Sequence, residues 1–274
     1  MTRWLDTCRL CVADIREVLD ELPTRAEREP VLQRGQGGDD TTAVDQAAED
    51  AVVARLSALG EDLVLVSEEL GERAFGAGGT VRVVVDPIDG SVNAKRGIPF
   101  FSFSLAVADG STMADVGFGY VYDFGSGEEW TAQRGEGAFL GGERLGGSRP
   151  KDRIEILSLE GTTTPAIAER IAGVVGVADR VRVMGSLALS LCHLAAGRVD
   201  AVCSLKEARS VDIAAAQLLV RECGLAIELI DNGSFLDAPL DLVPRSRVAA
   251  AGSRELVSGL GAALRKSPQV PSRS

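Results

Sequence analysis

Residues 83–93 read Val83-Val84-Val85-Asp86-Pro87-Ile88-Asp89-Gly90-Ser91-Val92-Asn93, an apolar run that delivers two carboxylates, three residues apart, into a turn. Pro87 fixes φ after Asp86, and Gly90 tolerates conformations that a side chain excludes. Such a turn can aim both carboxylates at one point while offering the Ile88 carbonyl and free N–H groups beyond Gly90, a cation site beside an anion site. Asp, Pro and Gly are also common turn formers, so the segment alone equally describes an ordinary Asp-rich turn.

Three further acidic segments have the same double reading. Val64-Leu65-Val66-Ser67-Glu68-Glu69 is an apolar run ending in paired carboxylates, which repel unless solvent or a cation separates them. A solvated strand end accounts for that pair on its own. Asp212 opens the alanine-rich run 212–219, whose small side chains let a helix approach a neighbouring backbone closely, and it serves equally as a helix cap. Asp45, at the end of Asp39-Asp40-Thr41-Thr42-Ala43-Val44-Asp45, is either a ligand or a first-turn acid matched to the helix dipole.

The elements that would position these acids follow from periodicity. Leu5, Leu10, Val12, Ile15, Val18 and Leu19 have helical spacing before Pro23, and Val44, Ala48, Val52, Leu56 and Leu59 repeat it, with Thr41 or Thr42 near the start and Gly60 at the end. A Gly/Gln-rich loop, 33–38, lies between. Strands are predicted at 63–66, 81–85, 101–108 and 116–120, and the dense glycine of 131–148 reads as turns at the edge of this strand-rich part. Beyond a boundary at 148–151, strands at 154–159, 181–184, 201–203, 225–230 and 248–251 alternate with helices starting at 165, 186, 212 and 255. This predicts an α+β half, 1–149, that carries the metal site, and an α/β half, 150–274, that completes it. Residues 267–274 read as a solvated tail.

Composition narrows the function. The chain has 274 residues, 45% of them hydrophobic, enough for a substantial core. Its formal charge of −11 suits cations and disfavours a nucleic-acid polymer as partner. Residues 1–22 are interrupted by charge and lack the apolar stretch of a signal peptide or membrane helix, which predicts a cytoplasmic protein with no membrane partner. Five cysteines fit reduced, buried thiols; Cys8-x-x-Cys11 lacks the second pair or histidine of a zinc site. The sole histidine, His193, falls inside an apolar helix and reads as structural.

Together the acidic segments resemble the inositol monophosphatase family. The motif D-P-x-D-G-[ST]-x-N is met by Asp86 to Asn93, the acidic strand end by Glu68-Glu69, D-x-x-T-x-x-D by Asp39, Thr42 and Asp45, and the late D-x-A by Asp212 to Ala214. Arg134-Gly135-Glu136-Gly137-Ala138-Phe139 and Arg182-Val183-Met184-Gly185-Ser186 also look like family features, so the resemblance spans nearly the whole chain.

The resemblance implies a layered αβαβα fold with two or three Mg²⁺ ions where the halves meet. One ion would be held by Glu68, Asp86 and the Ile88 carbonyl, a second by Asp86, Asp89 and Asp212, and a third, weaker one would touch Glu68 through water. Glu68 and Ser91 would orient the attacking water, the Gly90 and Ser91 amides would hold the phosphate, and Asp45 would act from outside the ligand set. Gly185 and Ser186 join the expected substrate contacts, and a homodimer is the family's usual state.

Two departures bear on substrate. The tryptophan that often precedes the late aspartate is Val211, and the acid that contacts an inositol hydroxyl in animal-type enzymes falls on Leu205, with Glu207 the nearest acid. Asn93-Ala94-Lys95-Arg96-Gly97-Ile98-Pro99-Phe100 and Val211-Asp212-Ile213-Ala214 look closer to the archaeal-type branch, which hydrolyses inositol 1-phosphate and fructose 1,6-bisphosphate. Lys95 or Arg96 is the expected contact for a second phosphate or a sugar oxygen. The competing expectations are an adenosine 3′,5′-bisphosphate 3′-phosphatase, for which 4% aromatic residues offer little purine pocket, and a non-enzymatic regulatory binding protein on the same fold.

Overall fold

The amphipathic spacing of the first segment forms α1 (Thr2–Glu21), followed by a single turn, α2 (Arg25–Arg28). β1 (Val31–Arg34) and β2 (Asp40–Thr42) then pair as an antiparallel hairpin, so the segment expected as a plain Gly/Gln loop is largely the turn of a hairpin. α3 (Ala43–Ala58) starts at Thr42, whose backbone N–H and hydroxyl both donate to Asp45 Oδ2, at 3.0 and 2.6 Å. This computed structural model describes residues 2–146, 151–161, 163–231 and 233–265. The division expected at 149/150 and the tail 267–274 lie outside them.

The next strands are β3 (Leu63–Ser67), β4 (Gly71–Phe75), β5 (Arg82–Asp89), β6 (Ser102–Ala108), β7 (Val116–Asp123), β8 (Glu129–Gln133), β9 (Gly137–Leu140) and β10 (Glu143–Arg144). They form one sheet in the order β10-β9-β8-β7-β6-β5-β3-β4, in which only β3 and β5 are parallel neighbours. The glycine-dense region therefore holds three strands as well as turns: its glycines sit at the bends, with Gly135 and Gly141 at positive φ, and the short strands between them carry too few apolar residues to show a period. α4 (Ser91–Arg96) follows directly on β5.

A second sheet, ordered β12-β11-β13-β15-β14, is built from β11 (Ile154–Glu160), β12 (Ala178–Arg182), β13 (Ala201–Ser204), β14 (Ala226–Leu229) and β15 (Val248–Ala251). β12 begins three residues before the expected 181, because its burial pattern is that of an exposed edge strand and Val181 to Met184 is not its apolar centre. The intervening helices are α5 (Thr164–Arg170), α6 (Leu187–Ala195), α7 (Ser210–Glu222) and α8 (Arg254–Arg265).

Three apolar clusters fix the layering. Cys8, Ile15, Val52 and Leu56 of α1 and α3 pack on Leu65, Val83 and Val85 of the large sheet. On its other face Val66, Val84 and Val121 meet α6 and α7, which also cover Val202, Val248 and Ala250 of the second sheet. The far face of that sheet, with Leu157, Cys203 and Ala249, is closed by Leu260 and Leu264 of α8 and by α5. This is the αβαβα sandwich that the resemblance implied, with α6 and α7 as the shared central layer. Each fully buried leucine of α7, such as Leu218, contributes about 2 kcal/mol by transfer out of water. α7 lies so close to β7 that a Cβ on Gly119 would stand 2.6 Å from the Ala215 carbonyl oxygen, which explains both that glycine and the alanine run.

Candidate active site

Strand alternation places the acids. Val66 and Val84 face α7, and they are partners in the parallel β3–β5 pair. Two residues further along each chain, the same side presents Glu68 and Asp86, side by side where the strands end. α7 supplies Asp212 to the same point. The helix begins at Ser210, two residues earlier than expected, so Asp212 does not open it but sits in its first turn, where Oδ2 accepts the Arg209 N–H at 2.6 Å. Ligand oxygens of Glu68, Asp86 and Asp212 lie within 4.8 Å of one another, the one such group of three found among the described residues. All three donors are hard carboxylate oxygens, a set that fits Mg²⁺ or a similar divalent cation.

Asp89 stands beside this trio rather than in it. Its Oδ2 accepts the Ala188 N–H at 2.8 Å and the Ser186 hydroxyl, which anchors it at the N-terminus of α6. Asp86 Oδ1 accepts the Ile88 N–H at 3.0 Å, closing the turn between the two aspartates. Gly90 follows at φ +92°, and a Cβ there would come within 3.0 Å of the Gly185 carbonyl. Gly185, at φ +98°, packs back on Asn93, whose side-chain amide donates to the Met184 and Phe100 carbonyls, both at 2.8 Å. Glu160, 1% exposed, holds the 184–186 stretch from behind by accepting the Gly185 N–H at 2.8 Å and the Ser190 hydroxyl at 2.7 Å.

The carboxylates line a cavity of about 400 Å³ together with Asp45, Ile88, Gly90, Ser91, Lys95 and Gly185. An adjoining cavity of about 160 Å³ shares the Asp89, Lys206 and Asp212 walls and reaches Glu160, Gly161 and Glu207. The cavity thus joins a cluster of acids, Arg209, a glycine-built turn and, at the rim, Lys95 and Lys206.

Residues 8–269 match the model of the inositol monophosphatase family. The chain belongs to the inositol monophosphatase family. This member is 35% identical over 236 residues to a fructose-1,6-bisphosphatase/inositol-1-monophosphatase of Methanothermobacter thermautotrophicus, 82% of this chain and 84% of that protein. It is 37% identical over 200 residues to a Nus factor SuhB of Salmonella typhimurium, 70% of this chain and 72% of that factor. A solved inositol monophosphatase-fructose 1,6 bisphosphatase shares its fold with a TM-score of 0.82 and 28% identity, over 95% of this chain and 99% of the other.

Within this family member, burial dominates the electrostatics of the acids. It raises Glu68 to about 8, opposed by the Arg209 guanidinium and reinforced by Asp212 and Glu69. Asp86 is pushed well above the usual carboxylate range, first by burial and then by Glu68, Asp89 and Asp212. Burial likewise lifts Asp89 to about 7 against its hydrogen bonds from Ser186 and Ala188. Asp45 is raised by burial, and its Oδ1 is buried with no protein partner.

Not every expected residue lines the cavity. Arg96 is exposed and absent from its wall, whereas Lys95 on the same short helix is part of it. Ser186 is buried and caps α6 through its bond to the Leu189 N–H at 3.2 Å, so it acts on Asp89 and not on the cavity. Leu205 is buried in the core, and Glu207 is the acid that reaches the adjoining cavity. His193 packs between Phe100 and Trp130 with ring centroids 5.7 and 5.8 Å away, outside the site. Cys8 and Cys11 are free and buried, with thiols raised by burial. No helix of the described residues is long and apolar enough to cross a membrane.

Three site residues escaped sequence reasoning. Glu160 ends a predicted strand just as Glu68 does, and that position was its signal. Lys206 and Arg209 carry none, since their partner Asp39 is 167 and 170 residues away.

Proposed function

We propose that the chain is a Mg²⁺-dependent phosphomonoesterase that releases phosphate from inositol 1-phosphate and from sugar phosphates such as fructose 1,6-bisphosphate. The observation that carries this reading is the convergence of Glu68, Asp86 and Asp212 beside the Gly90–Ser91 turn in one cavity. Glu68, Asp86 and the Ile88 carbonyl would hold one ion, and Asp86, Asp89 and Asp212 a second; a third would sit near Glu68. Bound there, Mg²⁺ supplies Lewis-acid stabilisation of the phosphoryl oxygens and makes water more acidic.

The protein's own groups do the rest. The Gly90 and Ser91 amides and the Ser91 hydroxyl bind the phosphate oxygens, and the positive-φ glycine lets the ester approach the backbone. Glu68, together with Ser91, orients the attacking water for in-line approach to phosphorus. Asp45 stands behind as a proton and hydrogen-bond acceptor through its unpartnered Oδ1. Asp89 and Asp212 set the leaving-group side, Gly185 lines the phosphate turn, and Ser186 holds Asp89 in place. Lys95 and Lys206 at the rim meet a second phosphate or a ring hydroxyl; Glu207, in the adjoining cavity, serves hydroxyls where position 205 holds a core leucine instead of an acid.

The experiment is phosphate release from inositol 1-phosphate, fructose 1,6-bisphosphate and adenosine 3′,5′-bisphosphate. Turnover of the first two with little of the third supports the reading. Preference for the nucleotide makes the chain a 3′-phosphatase. No turnover on any, with a stoichiometric partner captured, gives it the regulatory role suggested by kinship with the Nus factor. A cytoplasmic homodimer belongs to the same proposal, and light scattering in solution tests the dimer.

A further inference from the structure

Arg209 precedes α7, is 8% exposed, and spreads its guanidinium across two sets of acceptors. Nη2 lies 2.9 Å from Glu68 Oε1 and 3.0 Å from Asp212 Oδ1, within the carboxylate cluster. Nη1 donates to the Gly37 carbonyl at 3.3 Å and lies 3.4 Å from Asp39 Oδ2, both on the β1–β2 turn. A Cβ at position 37 would stand 2.5 Å from Nη1, so the glycine leaves the room the guanidinium uses. The hairpin turn, the end of β3 and the first turn of α7 are thus joined by one side chain.

That side chain and a divalent ion draw on the same carboxylates, Glu68 and Asp212. Mg²⁺ needs its ligands at about 2.0–2.1 Å in near-octahedral order, and a cation at Nη2 both occupies Glu68 and Asp212 and repels the ion. Nε also donates to Asp212 Oδ2, at 3.4 Å, so Nε and Nη2 face the cluster while Nη1 already has acceptors outside it on the Gly37–Asp39 turn, a second seat for the guanidinium. We propose that Arg209 is the cluster's internal counter-cation and that metal loading is an exchange, in which the ion takes Glu68 and Asp212 as Nη2 withdraws toward the Gly37–Asp39 turn. Arg209 is then a positioning residue that sets metal affinity, weakening it below what the carboxylates alone would give. The inference rests on the metal reading of the site proposed above.

The test is calorimetric titration of Mg²⁺ into the full chain as wild type, Arg209→Gln, Arg209→Lys and Asp86→Asn. Removing the competing charge in Arg209→Gln tightens Mg²⁺ binding at least about fivefold, the lower range of coupling between two sites. Arg209→Lys, which keeps the charge but loses the fork that spans both carboxylates, falls between Gln and wild type. A structural role alone would loosen the site, so affinity in Arg209→Gln equal to or below wild type overturns the exchange. Should Arg209→Gln not fold, Arg209→Lys decides alone: tighter binding upholds the exchange, equal or weaker binding overturns it. Asp86→Asn separates the two claims. Binding absent from wild type, or unchanged by Asp86→Asn, defeats the metal reading; binding lost in Asp86→Asn without tightening in the Arg209 variants defeats the exchange only.

Discussion

The Oδ2 oxygen of Asp89 accepts the Ala188 backbone N–H at 2.8 Å, fastening the acid turn of β5 to the first turn of α6 across 99 residues of sequence. One aspartate therefore serves the fold with one oxygen, and the proposed function assigns its other oxygen to the metal site. Asp89→Asn keeps an oxygen acceptor for Ala188 and loses the charge. We expect near-wild-type melting and a fall in kcat/KM of at least about 100-fold, as for removal of one transition-state stabilising group. Asp89→Ala loses both and costs about 1–3 kcal/mol of stability besides, read from urea unfolding. Equal stability of the Asn and Ala variants would contradict the anchoring role.

Gly185→Ala tests the junction between the two sheets. The residue sits at φ +98°, and the added Cβ would stand 2.7 Å from Asn93 Nδ2. Strain and the broken amide contacts should cost about 1–3 kcal/mol in chemical denaturation. The same variant should raise KM more than it lowers kcat, because the phosphate turn shifts while the carboxylates stay.

The raised carboxylates give a pH dependence with a definite sign. Glu68 rises from 4.5 to about 8 and Asp89 from 3.8 to about 7, so the folded chain keeps protons that the unfolded chain has released. The stability tied to those protons is fully present below the unfolded values and is lost as pH climbs through about 7 to 8. Metal-free protein should therefore melt lower at about pH 8.5 than at about pH 6, and saturating Mg²⁺, which binds the deprotonated acids, should remove most of the difference. Thermal melts at both pH values, with and without Mg²⁺, read this out; identical metal-free melts would contradict the assignment.

Much of this site was legible in the sequence because its key signals are local. A strand period carries Val66 to Glu68 and Val84 to Asp86 on the same face, and Asp-Pro-Ile-Asp-Gly announces the turn. What was not legible is long-range or aperiodic. The β1–β2 hairpin and β8 to β10 are short and glycine-bounded, so pairing partners, not apolar spacing, make them strands. The start of α7 was misplaced because Ser210 and Val211 carry no helix signal of their own, while Arg209 supplies the backbone N–H that Asp212 caps.

Lys95 and Arg96 are neighbours in sequence with different placements. Lys95 lines the cavity, and Arg96 is exposed away from it. Lys95→Ala should raise KM about 5- to 50-fold, the range for losing one charged contact, and more for fructose 1,6-bisphosphate than for inositol 1-phosphate. Arg96→Ala should change either value less than twofold, roughly the scatter expected of an exposed charge. Initial-rate kinetics on both substrates distinguish them, and equal effects of the two substitutions would contradict the placement.

The most direct test of the central claim is the Mg²⁺ dependence of phosphate release by wild type and Asp86→Asn. Asp86 is 3% exposed and is shared by both expected ion sites. Wild-type turnover that rises from background to saturation with Mg²⁺, and a loss of at least about 100-fold in Asp86→Asn at any Mg²⁺ concentration, is the expected result. Turnover that persists in excess chelator, or that survives Asp86→Asn, would contradict a carboxylate-held metal as the basis of this enzyme.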